Sequence, residues 1–294
     1  AKVNFSNTES SLIKLFNDTK TFNYKGDQFI IIKIGKPSPS KGECKTDIYI
    51  LAENLNDQST KEFKISVKQI NADFLENKMK LERAIEIFGT NAQEIIEKST
   101  HEIKQSFEEE PLINFTKRGR TEAKTIALGW KFELLNKPGG LKSGLMLLTK
   151  KQKIDVYAGT NLGDAKTNCL VNGERIKDSG IAEYILEIDH NINGTADDYI
   201  NQLETIEEFV DDKQIYFACK ALNYRASKDK WDGDRPLAVY VDWEFNNNRL
   251  TGNLKYTNPL SVKGNQCGES VRKILNQLNI DKDNFDVLKQ YYNE

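Results

Sequence analysis

Between Ser40 and Gln69 the chain reads SKGECKTDIYILAENLNDQSTKEFKISVKQ. Thr46–Leu51 alternates polar and apolar residues, and so does Glu62–Lys68, the period-two signature of strands with two unlike faces. Ala52–Lys61 between them is polar, and Asn54, Asn56, Asp57, Ser59 and Thr60 supply turn chemistry. These segments predict an antiparallel hairpin with its tip near Asp57. With the turn there, positions 47 and 67 face each other, and Ser66 and Lys68 flank Asp47. Ser66 and Lys68 lie two apart in one strand and point to the same face. A carboxylate and a lysine are therefore expected to meet at the open end of the hairpin.

Metal-dependent phosphodiester hydrolysis needs such a pair. A carboxylate holds Mg²⁺, which polarises the phosphate and lowers the pKa of a bound water. A lysine orients or deprotonates that water and offsets charge developing in the transition state. The stretch resembles the PD-(D/E)XK nuclease core, and within that superfamily the small type II restriction endonucleases of the MspI and HinP type. The residues carrying the resemblance are Gly42, Lys45, Thr46, Asp47 and Ile48, then Ser66-Val67-Lys68, roughly a tenth of the chain. The resemblance implies Mg²⁺ as cofactor with Asp47 as its ligand, and Lys68 at the nucleophilic water. It also implies that Ser66 hydrogen-bonds that water or the metal's hydration shell. Double-stranded DNA, cut at a specific short sequence, is the implied substrate.

Ser66 departs from the pattern, which has an acid at that position. Asp47 with Glu62-Phe63-Lys64 spells acid-x-Lys literally. A tip near Asp57, however, places Glu62 opposite residue 52, several residues up the strand at ~3.3 Å each, too far to share one metal ion with Asp47. Ser66 and Lys68 are thus the preferred pair, subject to a bulge that shifts the register.

The 294 residues suffice for a substantial core, in one large domain or two small ones. Forty-two Lys and Arg against 44 Asp and Glu leave a net charge of −2, which excludes a purely electrostatic nucleic-acid binder but not a local basic cleft. Cys44, Cys169, Cys219 and Cys267 are far apart, no CxxC pair occurs, and only His101 and His190 accompany them, so no zinc site is expected. Free thiols in a reducing cytoplasm are the simplest reading. No apolar run approaches the ~20 residues of a membrane span, and no signal peptide is visible.

Upstream of the hairpin, Thr8–Asp18 reads as a short amphipathic helix with Thr8 as N-cap. Glu9 in its first turn either complements the helix dipole or contributes to a metal site. Phe29–Ile34 suits a central strand covered on both faces. Gly35–Gly42 is a loop into the hairpin, and Lys36, Lys41 and Lys45 beside the aspartate suit either phosphate contact or a solvated connection. Beyond the hairpin, Asp73 to about Phe88 and Asn91–Glu110 read as helices, with Asn71 or Asp73 as a cap. Strands are expected at Trp130–Leu135, Gly144–Thr149, Ile154–Tyr157, Cys169–Val171, Gln214–Tyr224 and Ala238–Phe245, the last turning at Asn246–Asn248 into Arg249–Tyr256. Ala182–Ile188 fits helix or strand; Asp197–Phe209, Ser270–Leu278 and Asn284–Tyr292 read as helices.

Lys117, Arg118 and Arg120 around Gly119 form the densest basic cluster, suited to phosphates or to a guanine edge. Asn223, Arg225, Lys263 and Asn265 lie in polar, hydrogen-bonding segments, where Asn pairs with adenine and Arg with guanine; solvated loops of the same composition are common. Together these signals predict an α/β protein with a mixed central β-sheet flanked by helices and a strand-rich C-terminal part. Residues 1–135 are expected to hold the nuclease core and 136–294 to embrace DNA, in a monomer or homodimer. The rival readings are a non-catalytic nucleic-acid-binding or interaction protein, and a Mg²⁺-dependent nuclease without sequence preference.

Overall fold

A computed structural model of the chain describes residues 5–70, 74–189 and 191–293; the expected caps Asn71 and Asp73 lie outside them. The protein is a mixed α/β structure, with helices flanking a mixed sheet and a larger antiparallel one, and a two-stranded antiparallel ribbon besides. The described residues fall into two compact units, each discontinuous in sequence. One takes its residues from 1–72, 86–89 and 148–213, the other from 73–85, 90–147 and 214–294. This differs from a single boundary at 135/136. The cause is strand pairing between distant segments, which carries the chain out of each unit and back.

In the first unit, helix α1 (Phe5–Thr19) precedes β1 (Thr21–Tyr24), β2 (Asp27–Gly35), β3 (Ile48–Asn54) and β4 (Thr60–Gln69). Helix α2 (Lys150–Ala158), β5 (Tyr184–Ile188), α3 (Ala196–Asn201) and β6 (Glu204–Thr205) follow. The sheet order is β1-β2-β3-β4-β5-β6. Every pairing is antiparallel except β4 with β5, whose parallel register sets Ile185 beside Ser66 and Glu187 beside Lys68. Ala182–Ile188, open between helix and strand in the sequence, is thus the strand that makes β4 central.

The alternation of β4 sends Phe63, Ile65 and Val67 to the core, where they meet Ile48, Ile50 and Ala52 of β3 and Leu12 and Phe16 of α1. Phe63 is fully buried and packs edge-on against Phe22, ring centroids 5.5 Å apart; burying such a side chain is worth ~1.5–3 kcal/mol. Thr8, expected as an N-cap, lies inside α1, which starts earlier. Ile154–Tyr157, expected as a strand, belongs to α2. A capping box of Thr149 and Gln152 starts that helix, and Gly159 ends it in the left-handed conformation at φ 77°. A Cβ on Gly159 would lie 2.5 Å from Cγ of Lys45, so the lysine stem also requires glycine there.

In the second unit, the strand Thr125–Leu135 pairs along its length with Tyr216–Arg225, interrupted by an irregularity at Leu222/Asn223. Val239–Asn246 joins Thr125–Leu135 and forms a hairpin with Arg249–Lys255. Several elements depart from expectation. Phe74–Glu76, expected as helix, is a strand on Thr125–Leu135, and the helix is confined to Leu81–Phe88. Asn91–Glu110 is split into Ala92–His101 and Lys104–Glu108. Of the expected strand 144–149 only residues 144 and 145 are extended, in the strand Ser143–Leu145. The C-terminal helix begins at Gly264, so Lys263 and Asn265 flank its first residue rather than sit in a loop. Among the described residues no helix is long and apolar enough to cross a membrane.

Candidate active site

The hairpin forms with a register one residue from the expected one. Ile48 pairs Ile65, Tyr49 pairs Lys64 and Leu51 pairs Glu62, so continuing the ladder sets position 47 beside 66 rather than 67. A one-residue shift exchanges the faces of a strand. In the observed register Asp47, Ser66 and Lys68 share one face with Tyr49, Leu51, Glu62 and Lys64, and Ile48, Ile50, Phe63, Ile65 and Val67 lie on the other. Local bonds set the turn: the Asp57 carboxylate accepts from the backbone N–H and the hydroxyl of Ser59 at 2.9 and 2.6 Å, and Asn54 Oδ1 accepts from the N–H of Asn56 at 2.9 Å.

At the open end Asp47 leaves the regular ladder. Its N–H donates to the Ile65 carbonyl at 2.8 Å, and its carboxylate accepts from the Val67 N–H at 2.7 Å, standing in for a backbone acceptor. Burial pushes the Asp47 carboxyl up to about 6; the Val67 N–H opposes this, the Glu9 charge adds to it, and the Lys68 and Lys36 ammonium groups oppose it. Lys36, just past β2, is hydrogen-bonded to Glu9 of α1, and that bond raises its pKa. Glu9, Lys36 and Lys68 thus all act electrostatically on Asp47.

Ser66 is 0% exposed, and its hydroxyl has no hydrogen-bond partner among the described residues. A buried hydroxyl without a partner costs about 1–3 kcal/mol, which marks the position as unusual. Among the described residues Lys68 makes no ion pair, whereas Lys64 is committed. Its Nζ lies 3.1 Å from Glu183 and donates to the Asp178 carbonyl at 3.2 Å. Glu62 accepts from the Tyr49 hydroxyl. The literal acid-x-Lys pair is therefore engaged in structural bonds.

Among the described residues no group of three or more His, Cys, Asp or Glu side chains gathers as a metal site. The Asp47 and Glu9 carboxylates are hard oxygen donors, and Mg²⁺ commonly takes one or two carboxylates with waters and substrate phosphates completing its shell. The donor set fits an ion that arrives with its substrate, and it does not fit an all-protein cage. Glu187, beside Lys68 across the parallel pair, is an acid the sequence did not point to; only the strand reading of Ala182–Ile188 would have found it.

Apart from Lys45, the expected DNA contacts lie in the second unit. Arg118 and Thr121 exchange backbone hydrogen bonds at 3.0 and 2.9 Å, so Gly119 and Arg120 form a tight turn whose basic side chains, with Lys117, are exposed. Arg225 is occupied: Nε donates to Asp232 at 2.6 Å and a terminal nitrogen lies 2.9 Å from Glu122. Asn223 exchanges bonds with the same Asp232, its N–H donating to the carboxylate at 3.1 Å. Asn265 accepts from the Trp231 indole N–H at 2.9 Å. Lys263 is exposed, and its backbone N–H donates to Gln266 Oε1 at 2.8 Å. Hence the basic turn is free to meet a polyanion, while Asn223, Arg225 and Asn265 brace the segments around them. All four cysteines are free thiols. Comparison with protein-family models and with curated proteins finds no match.

Proposed function

We propose that the protein is a Mg²⁺-dependent endonuclease that hydrolyses phosphodiester bonds of double-stranded DNA at a specific short sequence, in the manner of type II restriction enzymes of the cytoplasm. The observation that carries this reading is the shared face of Asp47 and Lys68 beside the Ser66 hydroxyl, which has no partner among the described residues. Asp47 and Glu9 would hold the ion, which when bound polarises the phosphate and lowers the pKa of a water. Lys68 holds the attacking water by donating to it and offsets negative charge as the water oxygen bonds to phosphorus and the bridging P–O bond breaks; the proton of the attacking water passes to solvent water, and the leaving oxygen takes one up from solvent. Ser66 donates or accepts a hydrogen bond at the same water. Val67 fixes the Asp47 carboxylate through its N–H, so the ligand is oriented before metal arrives.

The test is incubation of long DNA with the protein, with and without Mg²⁺. Discrete bands only with Mg²⁺ support the reading, and a smear supports a nuclease without sequence preference. A second reading, a non-catalytic nucleic-acid-binding protein, draws on the lack of a three-ligand cluster among the described residues. DNA bound equally with and without Mg²⁺ and never cut would establish it.

A further inference from the structure

Leu141 is 95% exposed, whereas the other exposed large apolar residues lie between 39 and 53%. A single exposed leucine is ordinary; the position of this one is not. It stands at the tip of Asn136–Leu141, which Ser143 anchors by accepting from the Gly139 N–H at 2.9 Å and donating to the Phe217 carbonyl at 2.7 Å. Gly139 and Gly140 shape the tip: a Cβ on the first would meet Leu135 at 2.5 Å, and the second has φ 85°. The leucine is therefore presented by a fixed loop.

Cations surround it. Leu141 lines a cleft of about 620 Å³ in the second unit together with Arg118 and Arg120 of the basic turn. The acids of that cleft are engaged, Glu110 by Lys142 and Glu109 by the Gln105 amide. Behind the loop, Lys131 and Lys220 face each other across neighbouring strands, and Lys220 Nζ lies 3.9 Å from a Cβ built on Gly140. Like charges directly opposite are destabilising, and neither lysine makes an ion pair among the described residues. Glu133, next along the same face, is buried and pairs with neither.

An exposed apolar side chain with cations near it that make no ion pair among the described residues matches a duplex, whose phosphates lie on either side of a stacked, apolar interior. Resting on the endonuclease reading for its substrate, we infer that Leu141 is a wedge inserted between base pairs, with Arg118 and Arg120 on one side and Lys131 and Lys220 on the other holding phosphates. Side chains used this way unstack a step and kink or unwind the duplex, and the deformation energy depends on the sequence being deformed. Leu141 would then contribute to specificity without reading a base edge.

Insertion unwinds DNA, so linking number reports it without knowledge of the recognition sequence. Closed circular plasmid is bound by the full-length protein in EDTA, relaxed by a metal-independent topoisomerase, and deproteinised. Wild type should shift the topoisomer distribution. Leu141→Ala should reduce the shift at least about threefold at equal occupancy, and Leu141→Phe should keep it. Lys131→Ala with Lys220→Ala should lower the salt slope of plasmid binding by about two. No shift by wild type, no binding, or an equal shift by Leu141→Ala overturns the wedge. Cleavage with Mg²⁺ is scored separately: cutting without a shift discards the wedge alone, and a Leu141-dependent shift without cutting discards the nuclease alone.

Discussion

Asp47 is held at a cost that its environment makes measurable. Burial raises its carboxyl from 3.8 to about 6, so between those pH values the folded chain binds a proton that the unfolded chain has released. Stability therefore falls as pH rises through that interval, and the loss is complete above about 6. Asp47→Asn keeps an acceptor for the Val67 N–H and removes the charge. It should stabilise the protein on the order of 1–3 kcal/mol at pH 7.5 and by almost nothing near pH 4, as read by denaturant unfolding at both values. A variant no more stable than wild type at pH 7.5 would show that the carboxylate is not penalised by its site. Lys64 makes the opposite case. Its buried ammonium serves the half-exposed Glu183 and the Asp178 carbonyl, so Lys64→Ala should cost about 1.5–3 kcal/mol of stability while leaving single-turnover cleavage within a few fold. Loss of cleavage by a folded Lys64→Ala would return Glu62-Phe63-Lys64 to the active site.

At the scale of elements, the site depends on α1 and β4 being fixed against one core. Phe16 is buried on the helix that carries Glu9, and Phe16→Ala should destabilise the protein by ~3–5 kcal/mol. Glu9→Gln should leave stability within about 1 kcal/mol and weaken Mg²⁺ binding, raising the Mg²⁺ concentration for half-maximal cleavage several-fold. An unchanged Mg²⁺ requirement would assign Glu9 to pairing with Lys36 alone. The hairpin itself was legible because alternation in Thr46–Leu51 and Glu62–Lys68 states both strands and both faces. Its register was not, because the parity of the loop decides it, and that parity came from the Asp57–Ser59 and Asn54–Asn56 bonds rather than from composition. Strand β5 stayed ambiguous for a related reason: all of its five residues but Glu187 are buried, so they carry no clear period, and its parallel partner β4 lies more than a hundred residues away in sequence. The strand expected at Ile154–Tyr157 failed where Thr149, Gln152 and Gly159 spelled a capped helix.

At the scale of the whole molecule, the proposed catalytic residues and the exposed basic turn belong to different units. Asp47, Ser66 and Lys68 belong to the first, and Lys117, Arg118 and Arg120 to the second. Substitutions in the two groups should therefore separate binding from cutting. Lys117→Ala and Arg118→Ala should each weaken DNA binding and lower its salt slope by about one, measured by titration across salt concentrations, and an unchanged slope would make the turn a solvated surface. The charge balance of −2 hid this division, since a net value cannot report where charges cluster. Single-turnover cleavage of plasmid DNA at saturating Mg²⁺ by wild type, Asp47→Ala and Lys68→Ala tests the account most directly. Wild type should cut, and both variants should fall by a factor of at least ~10² while binding DNA about as tightly as wild type. Cleavage by either variant at near wild-type rate would contradict it.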